Sequence, residues 1–363
     1  MSFDAVVIGG GMITHDQLLP SLYQLRRLGR IGNIRVCARN PATLAILAAS
    51  EIIRTAFPEQ TFEATTEPYE RVLNSMAPRQ LAVIAVPDPL HCDVILAALR
   101  ADLHVCAVKP LVMTVADSVK IENEASRRSL FVGIDYHKRF DDRSLMARRA
   151  YRDGKFGEFR LGNACLHEKW SYRHSNFQNW CTCENSDAFC YIGCHYVDLV
   201  QFITGLEPVA VSVYGLRDRY PNGNEGFLWT DARVRWSNGA CLNVQNSLGY
   251  PEEGPGSNMQ GLTMWCSGND GAAMIRHSDQ YRGIEYSYLG GPYSEPSSDY
   301  FQYVPFQGVV GYGYRSIERI VDACDRGSDD DGIVATPSNS RHNERVIEAA
   351  RKSILDGGRG IAL

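Results

Sequence analysis

The sequence lacks any run of roughly eighteen apolar residues, so no part of it reads as a membrane-spanning helix. It also lacks a charged start followed by a short apolar stretch. "MSFDAVVIGGG" enters a strand pattern at once, and no secretory signal is expected. Charge of one sign is not in excess: 37 Lys and Arg against 42 Asp and Glu leave -5, which gives no global attraction to nucleic acid. The 11 cysteines lack the C-x-x-C pairs of a structural zinc site. Cys181, Cys183, Cys190 and Cys194 lie close together, but as C-x-C with wider gaps, so no metal is expected there. Without an export signal, the cysteines read as free thiols of a cytoplasmic protein. One basic run, "HKRFDDRSLMARRAYRDGK", is interleaved with acids at helical spacing and reads as a solvated helix face.

What the sequence does contain is two grammars. At 363 residues it is too long for one ordinary core and suits two domains. The first third alternates strand and helix: "DAVVIG", a helix over 12–28, "NIRVCA", the helix "PATLAILAASEIIRTAF", then "LAVIAV", "HVCAV" and "LFVGIDY" with helices between them. Repeated βα units imply a doubly wound parallel sheet, assigned to residues 1–136. From 137 to 363 the strand patterns follow one another: "AVSVYGLRD", "FLWTDARVRW", "ACLNVQNSLGY", "LTMWCSG" and "AAMIRH". Asn238-Gly239 marks a hairpin, and "CSGNDGAAMI" reads as a second. This half reads as an α+β domain with a large, mainly antiparallel open sheet, closed by helices near 313–326 and 341–355.

Candidate functional residues lie at the strand ends. Gly9, Gly10 and Gly11 end the first strand just before a helix, where glycines let a backbone approach a pyrophosphate at the positive helix terminus. The third fingerprint position is Thr14, so the motif is incomplete. The second strand ends in Ala38 and Arg39, with no carboxylate to hold the ribose hydroxyls of NAD. Arg39 leans toward the 2′-phosphate of NADP, or stacks on adenine. Lys109-Pro110 places an ammonium at the carboxyl end of a strand, where open α/β sheets bind ligands. Tyr136 and His137 end the sixth strand and are expected to reach the same crevice.

In the second half, "AFCYIGCHYVDLV" reads as a buried helix interrupted by Tyr191, His195 and Asp198 at spacings of four and three, which would stack them on one stripe. Buried polar groups need partners, and three in line invite function. Ahead of it, "HEKWSYRHSNFQNWCTCEN" is a polar loop whose Trp170, Tyr172, Asn179 and Trp180 suit sugar faces and hydroxyls; core aromatics are the competing reading. "YPEEGPGSNMQG" reads as a mobile loop, a lid or an oligomer contact.

The segments "GGGMIT", "VPDPLH", "VKPL" and "GCHYVDLV" resemble the Gfo/Idh/MocA oxidoreductases over nearly the whole chain. That resemblance implies a Rossmann domain with a homo-oligomeric α+β partner domain, and hydride transfer with NAD(P) to or from a sugar, glycoside or polyol hydroxyl. It implies dinucleotide contacts at Gly9, Gly11, Met12, Ile13, Arg39, Val86, Pro87, His91 and Lys109. It further implies that Lys109 and His195 face the substrate and the nicotinamide. The residues themselves suggest Tyr191 as a third catalytic group that positions the hydroxyl, and Tyr136, His137, Trp170 and Trp180 as substrate contacts; Asp198 reads as a substrate contact, an orienting partner for His195 or a structural cap. Two departures stand out: Val108 replaces the usual glutamate before the lysine, and Tyr191 stands at the usual acidic position before the histidine. Glycoside-oxidising members, some holding NAD tightly and oxidising a 3-hydroxyl, favour NAD. Others cleave the glycoside through a 3-keto intermediate. The rival from another class is a non-catalytic dinucleotide-binding sensor or scaffold.

Overall fold

In the computed structural model the described residues are 2–269, 271–278, 283–287 (backbone) and 299–363. The chain divides into two units, Met1–Phe140 with Asp299–Arg341, and Asp141–Ser298 with His342–Leu363.

The first unit is built on a six-stranded sheet, β1 (Phe3–Ile8), β2 (Ile31–Cys37), β3 (Glu63–Thr65), β4 (Leu81–Ile84), β5 (His104–Val108) and β6 (Val132–Asp135), in the order β3-β2-β1-β4-β5-β6. The pairings among these six strands are parallel, and the order reverses beside β1, which makes its carboxyl end a switch point. The central strands are unbroken apolar runs because both faces are covered; Leu81, Ala82, Val83 and Ile84 of β4 are all fully buried.

The helix Tyr312–Arg326 belongs to this unit, not to the second as its position in the sequence suggests. Ile317, Ile320, Val321 and Cys324 form one apolar stripe and join the core that contains β1, β4 and β5 residues. Gly133 of β6 makes room for it: Ile320 Cγ2 lies 2.8 Å from where a Cβ would stand. Each such side chain contributes about 1.5–3 kcal/mol by leaving water. The expected single helix after β2 is broken at Ser50 into Pro41–Ala49 and Glu51–Ala56, because Ser50 has an extended ψ of 116°.

The second unit is built on an eight-stranded sheet. Its strands are β7 (Phe159–Lys169), β8 (Pro208–Arg219), β9 (Glu225–Trp236), β10 (Cys241–Tyr250), β11 (Asn258–Cys266), β12 (Ala273–Ser278) and β13 (Gly283–Ser287), with Ile361–Ala362 on one edge. The order is β13-β12-β11-β7-β10-β9-β8 and then the edge strand, and only β7 and β10 pair parallel. Both expected hairpins are present, β9–β10 with Gly239 at φ +85° and β11–β12.

The central strand β7 has no counterpart among the expected strands. Its inward residues include Gly162 and Ala164, too small to write an apolar alternation, and Leu242 fills the space beside Gly162. The basic run is not a solvated face at its start. Lys138 and Arg139 are buried, and Asp141 sits fully buried between Arg143 and His277 Nε2, the latter 3.3 Å away. Burial works to raise the Asp141 carboxyl, but hydrogen bonds to His277 and Arg143 outweigh it and hold the group well below the usual carboxylate range.

Candidate functional site

In the first unit the glycine turn is shaped by packing on one side and space on the other. Gly9 has φ +115°, and a Cβ there would lie 2.0 Å from the Ala85 carbonyl oxygen. Gly10 lies close to Ala38 and Thr43, whereas a Cβ on Gly11 would meet nothing within 4 Å. Gly11 and Met12 are exposed, and Ile13 is half-buried. The cradle therefore fits a pyrophosphate approaching Gly11. Thr14 is fully buried, and its hydroxyl donates to the Gly9 carbonyl at 2.7 Å, which explains how a threonine completes a turn that usually takes a third small residue. The chain then makes a single π-helical turn, Thr14–Leu18, of the kind found at functional sites.

Arg39 is exposed at the end of β2, and among the described residues it makes no hydrogen bond or ion pair. Val86 and Pro87 are half-buried after β4. His91 is fully buried, with Nε2 2.9 Å from the Val86 carbonyl and Nδ1 2.8 Å from that of Pro110. Expected as a dinucleotide contact, it clamps the turn after β4 to the turn after β5 instead. Lys109 is half-buried, and its peptide bond to Pro110 is cis. Tyr136 is buried beside the Arg139 guanidinium, 5.9 Å from its ring. His137 is held by Tyr300 and Tyr312, with ring centroids 4.8 and 5.9 Å apart. Burial pushes its imidazole down, Asp135 works to raise it, and the Lys109 and Lys138 cations lower it further.

In the second unit the expected stripe is interrupted. Phe189–Gly193 is a second π-helical turn, and the α-helix runs only from Cys194 to Thr204, so Tyr191 is out of α-helical phase with His195 and Asp198. The turn starts on Asp187, whose Oδ1 accepts from Cys190 N at 2.8 Å while Arg351 donates to Oδ2 at 2.7 Å. Gly193 lets it lie on β10; a Cβ would be 2.6 Å from Asn246 Oδ1. Tyr191 joins Trp180 in an aromatic cluster centred on Phe177, at 4.6 Å from Phe177 and 5.6 Å from Trp180. His195 is buried at the first turn of the α-helix. Asp198 accepts from Asn343 Nδ2 at 2.9 Å and lies 3.7 Å from His342, so its carboxylate engages the helix Arg341–Leu355. This is the structural alternative to a substrate contact.

Trp170 is apart from the aromatic cluster: the Arg173 guanidinium lies 3.8 Å from its ring, and the indole is 45% exposed. Arg173 is itself fixed by Leu248 O and Asp218, both within 2.6 Å. The Asn179 side chain is committed to Asn176 and Asn222, not left open. The expected mobile loop after Tyr250 is tied down. Lys169 Nζ donates to the carbonyls of Pro251, Glu252 and Gly254 at 3.0, 2.7 and 2.6 Å. Lys169, Arg173, Phe177 and Asp187 escape sequence reasoning because their role depends on partners far along the chain; only the acid at the start of the helix leaves a local capping signal. Among the described residues no His, Cys, Asp or Glu cluster has a metal-holding arrangement.

Residues 3–136 match the model of an oxidoreductase family with an NAD-binding Rossmann fold, and residues 144–273 match that of the GFO/IDH/MocA C-terminal domain. Inositol 2-dehydrogenase of Salmonella typhimurium is 24% identical over 220 residues, 59% of this chain and 58% of its own length. An uncharacterized oxidoreductase of Schizosaccharomyces pombe is 30% identical over 79 residues, 22% of this chain and 21% of its own. The chain thus spans between about a fifth and three-fifths of these curated relatives. Among solved structures, an oxidoreductase domain protein from Kribbella flavida superposes with TM-score 0.78 at 17% identity, covering 100% of this chain and 99% of that one. Levoglucosan dehydrogenase in complex with NADH gives 0.74 at 16%, covering 100% and 99%. GenD2 from gentamicin A biosynthesis, in complex with NAD, gives 0.74 at 17%, covering 100% and 96%. These likenesses establish the fold, and the two family matches together cover well over half of the sequence. The chain belongs to the Gfo/Idh/MocA family of oxidoreductases.

Proposed function

We propose that the protein is a cytoplasmic NAD(P)-dependent oxidoreductase that oxidises or reduces a ring hydroxyl of a sugar, glycoside or polyol. The observation that carries this reading is the glycine turn, closed by packing at Gly9 and open at Gly11. A bound dinucleotide supplies the nicotinamide carbon that takes the hydride. Oxidising a carbinol also releases its hydroxyl proton, and a positioned base lowers that barrier by about 10²–10⁴-fold in rate. We assign the proton to His195 and Lys109, and positioning of the hydroxyl to Tyr191, whose ring is braced by Phe177 and Trp180.

The finer reading is 3-oxidation of a glycoside with a tightly held cofactor. It is supported by the half-exposed Trp170 indole, held flat by Arg173 as a platform for a sugar ring. Arg39, exposed where NAD enzymes carry an acid, supports NADP, whereas relatives solved with NAD or NADH support NAD. A homo-oligomer is supported by Leu161, Tyr214, Leu216 and Trp265, which expose apolar surface on one face of the second sheet.

The test mixes the protein with NAD or NADP and a panel of sugars, polyols and glycosides, following reduced nicotinamide. Lys109→Ala and His195→Ala are expected to lose at least about 100-fold in kcat while still binding dinucleotide. Normal hydride transfer in both variants would overturn the assignment. Dinucleotide binding without transfer to any sugar in the unaltered protein would favour the sensor reading.

A further inference from the structure

Asp135, at the carboxyl end of β6, is 2% exposed, yet among the described residues it carries no ion pair shorter than the 3.9 Å approach of His137 Nδ1. Its Oδ1 accepts from the Ser316 hydroxyl at 2.5 Å, and its Oδ2 accepts from Gln17 Nε2 at 2.9 Å. A buried carboxylate held mainly by neutral donors is an expensive arrangement, and it favours positive charge nearby. Lys109 follows Val108, which pairs in register with Asp135 on the neighbouring strand. Lys109 thus leaves β5 beside the end of β6, where Asp135 and His137 lie 3.9 Å apart, so all three share one neighbourhood.

Gln17 connects that neighbourhood to the glycine turn. It is fully buried inside the π-helical turn Thr14–Leu18. Its amide nitrogen also donates to the Gly313 carbonyl at 2.9 Å, and its Oε1 accepts from the Tyr300 hydroxyl at 2.7 Å. Tyr300 in turn packs against His137, the rings tilted by 46°. The amide is thus fixed at both ends, and a shift of the turn must move Asp135, Tyr300 or both. Packed interiors pass such shifts on because they yield in discrete steps.

We propose that the Asp135–His137 pair positions the Lys109 ammonium, and that Gln17 couples this pair to the glycine turn, so that phosphates filling the turn set the lysine for proton transfer. The inference rests on the dinucleotide reading above and adds a route from cofactor phosphate to the catalytic cation. His137 is a positioning residue here, acting through Lys109.

The experiment uses ADP, which fills the phosphate cradle but lacks the nicotinamide that would shield the lysine directly. Lys109 is reductively methylated with formaldehyde and cyanoborohydride, and its rate is read by peptide mass spectrometry with and without ADP. Saturating ADP is expected to change the Lys109 rate about fivefold or more in the unaltered protein. The change should fall to near unity in Gln17→Leu and in His137→Asn, both with ADP still bound by calorimetry. Ser316→Ala, which removes a hydrogen bond from the same carboxylate away from the turn, keeps the response and controls for loss of packing. An ADP effect that is absent in the unaltered protein, or equal in all variants, overturns the coupling while leaving dinucleotide binding intact. Failure of ADP to bind at all overturns the dinucleotide reading and this inference with it.

Discussion

The two units each carry a π-helical turn beside their candidate chemistry, and the turns are held by different means. In the first, local backbone does the shaping: Gly9 is pressed on Ala85, and the Thr14 hydroxyl closes the turn on the Gly9 carbonyl. In the second, side chains far along the sequence do it, with Arg351 on Asp187 at one end and Phe177 and Trp180 on Tyr191. A backbone-shaped turn presents amide groups to any phosphate. A side-chain-shaped turn presents a particular hydroxyl and imidazole, and is free to vary with substrate. On the proposed reading, the first turn serves as a general cofactor cradle and the second as a specific substrate face.

The sharpest way to break this contrast is at the glycines. Gly9→Ala forces a positive φ on alanine and a clash with the Ala85 carbonyl, so we expect a loss of about 3 kcal/mol or more in urea unfolding, with dinucleotide binding abolished. Gly11→Ala has open space for its methyl, so stability should stay within about 0.5 kcal/mol while calorimetric dinucleotide affinity drops at least tenfold. Equal losses of stability in the two variants would contradict the division of labour.

Next in size is the anchor of the second turn. Asp187→Ala leaves the half-buried Arg351 guanidinium beside two carbonyls without its buried carboxylate partner, and should cost about 3 kcal/mol in denaturant unfolding. A loss below about 1 kcal/mol would mean the turn is held by the aromatic cluster instead.

A smaller effect separates the units by pH. His104 is buried in β5, its Nδ1 accepts from Phe131 N at 3.0 Å, and burial pushes the imidazole down to about 4. The unfolded chain then binds a proton that the folded one refuses, so stability is full above about pH 6.5 and falls as pH drops toward 4. His104→Gln should remove about 2 kcal/mol of the stability lost by the first unit between pH 7.5 and 5. The smallest expected effect is at the rim: Trp170→Ala should raise KM for a glycoside about fivefold, with less change for a free monosaccharide. An equal change for both would deny Trp170 a role specific to glycosides.

Most of the first unit is legible in the sequence because each βα repeat carries its own signals: a buried strand, a turn, a helix start. The placement of Tyr312–Arg326 is not, since its apolar stripe fits any sheet face and the partner, Gly133, lies far upstream. In the second unit the hairpins are legible from Asn238-Gly239 and its neighbours, but β7 is hidden by Gly162 and Ala164. For the site, residue types at strand ends point to Gly9, Gly11 and Lys109, and the "GCHYVDLV" pattern points to His195. The spacing of Tyr191, His195 and Asp198 misleads, because a π-helical turn changes the phase and Asn343 occupies the Asp198 carboxylate. His91 misleads for the same reason: its partners are carbonyls that no pattern announces.

The most direct test of the central claim traces the hydride. A sugar or glycoside deuterated at its ring carbinol carbons is incubated with the protein and its released or added dinucleotide, and the nicotinamide is analysed by mass spectrometry. The account predicts deuterium on the nicotinamide ring in the unaltered protein, and at least about a hundredfold slower labelling in His195→Ala. Oxidised sugar with no deuterium on the nicotinamide, or no oxidation of any sugar by a protein that binds dinucleotide, would contradict it.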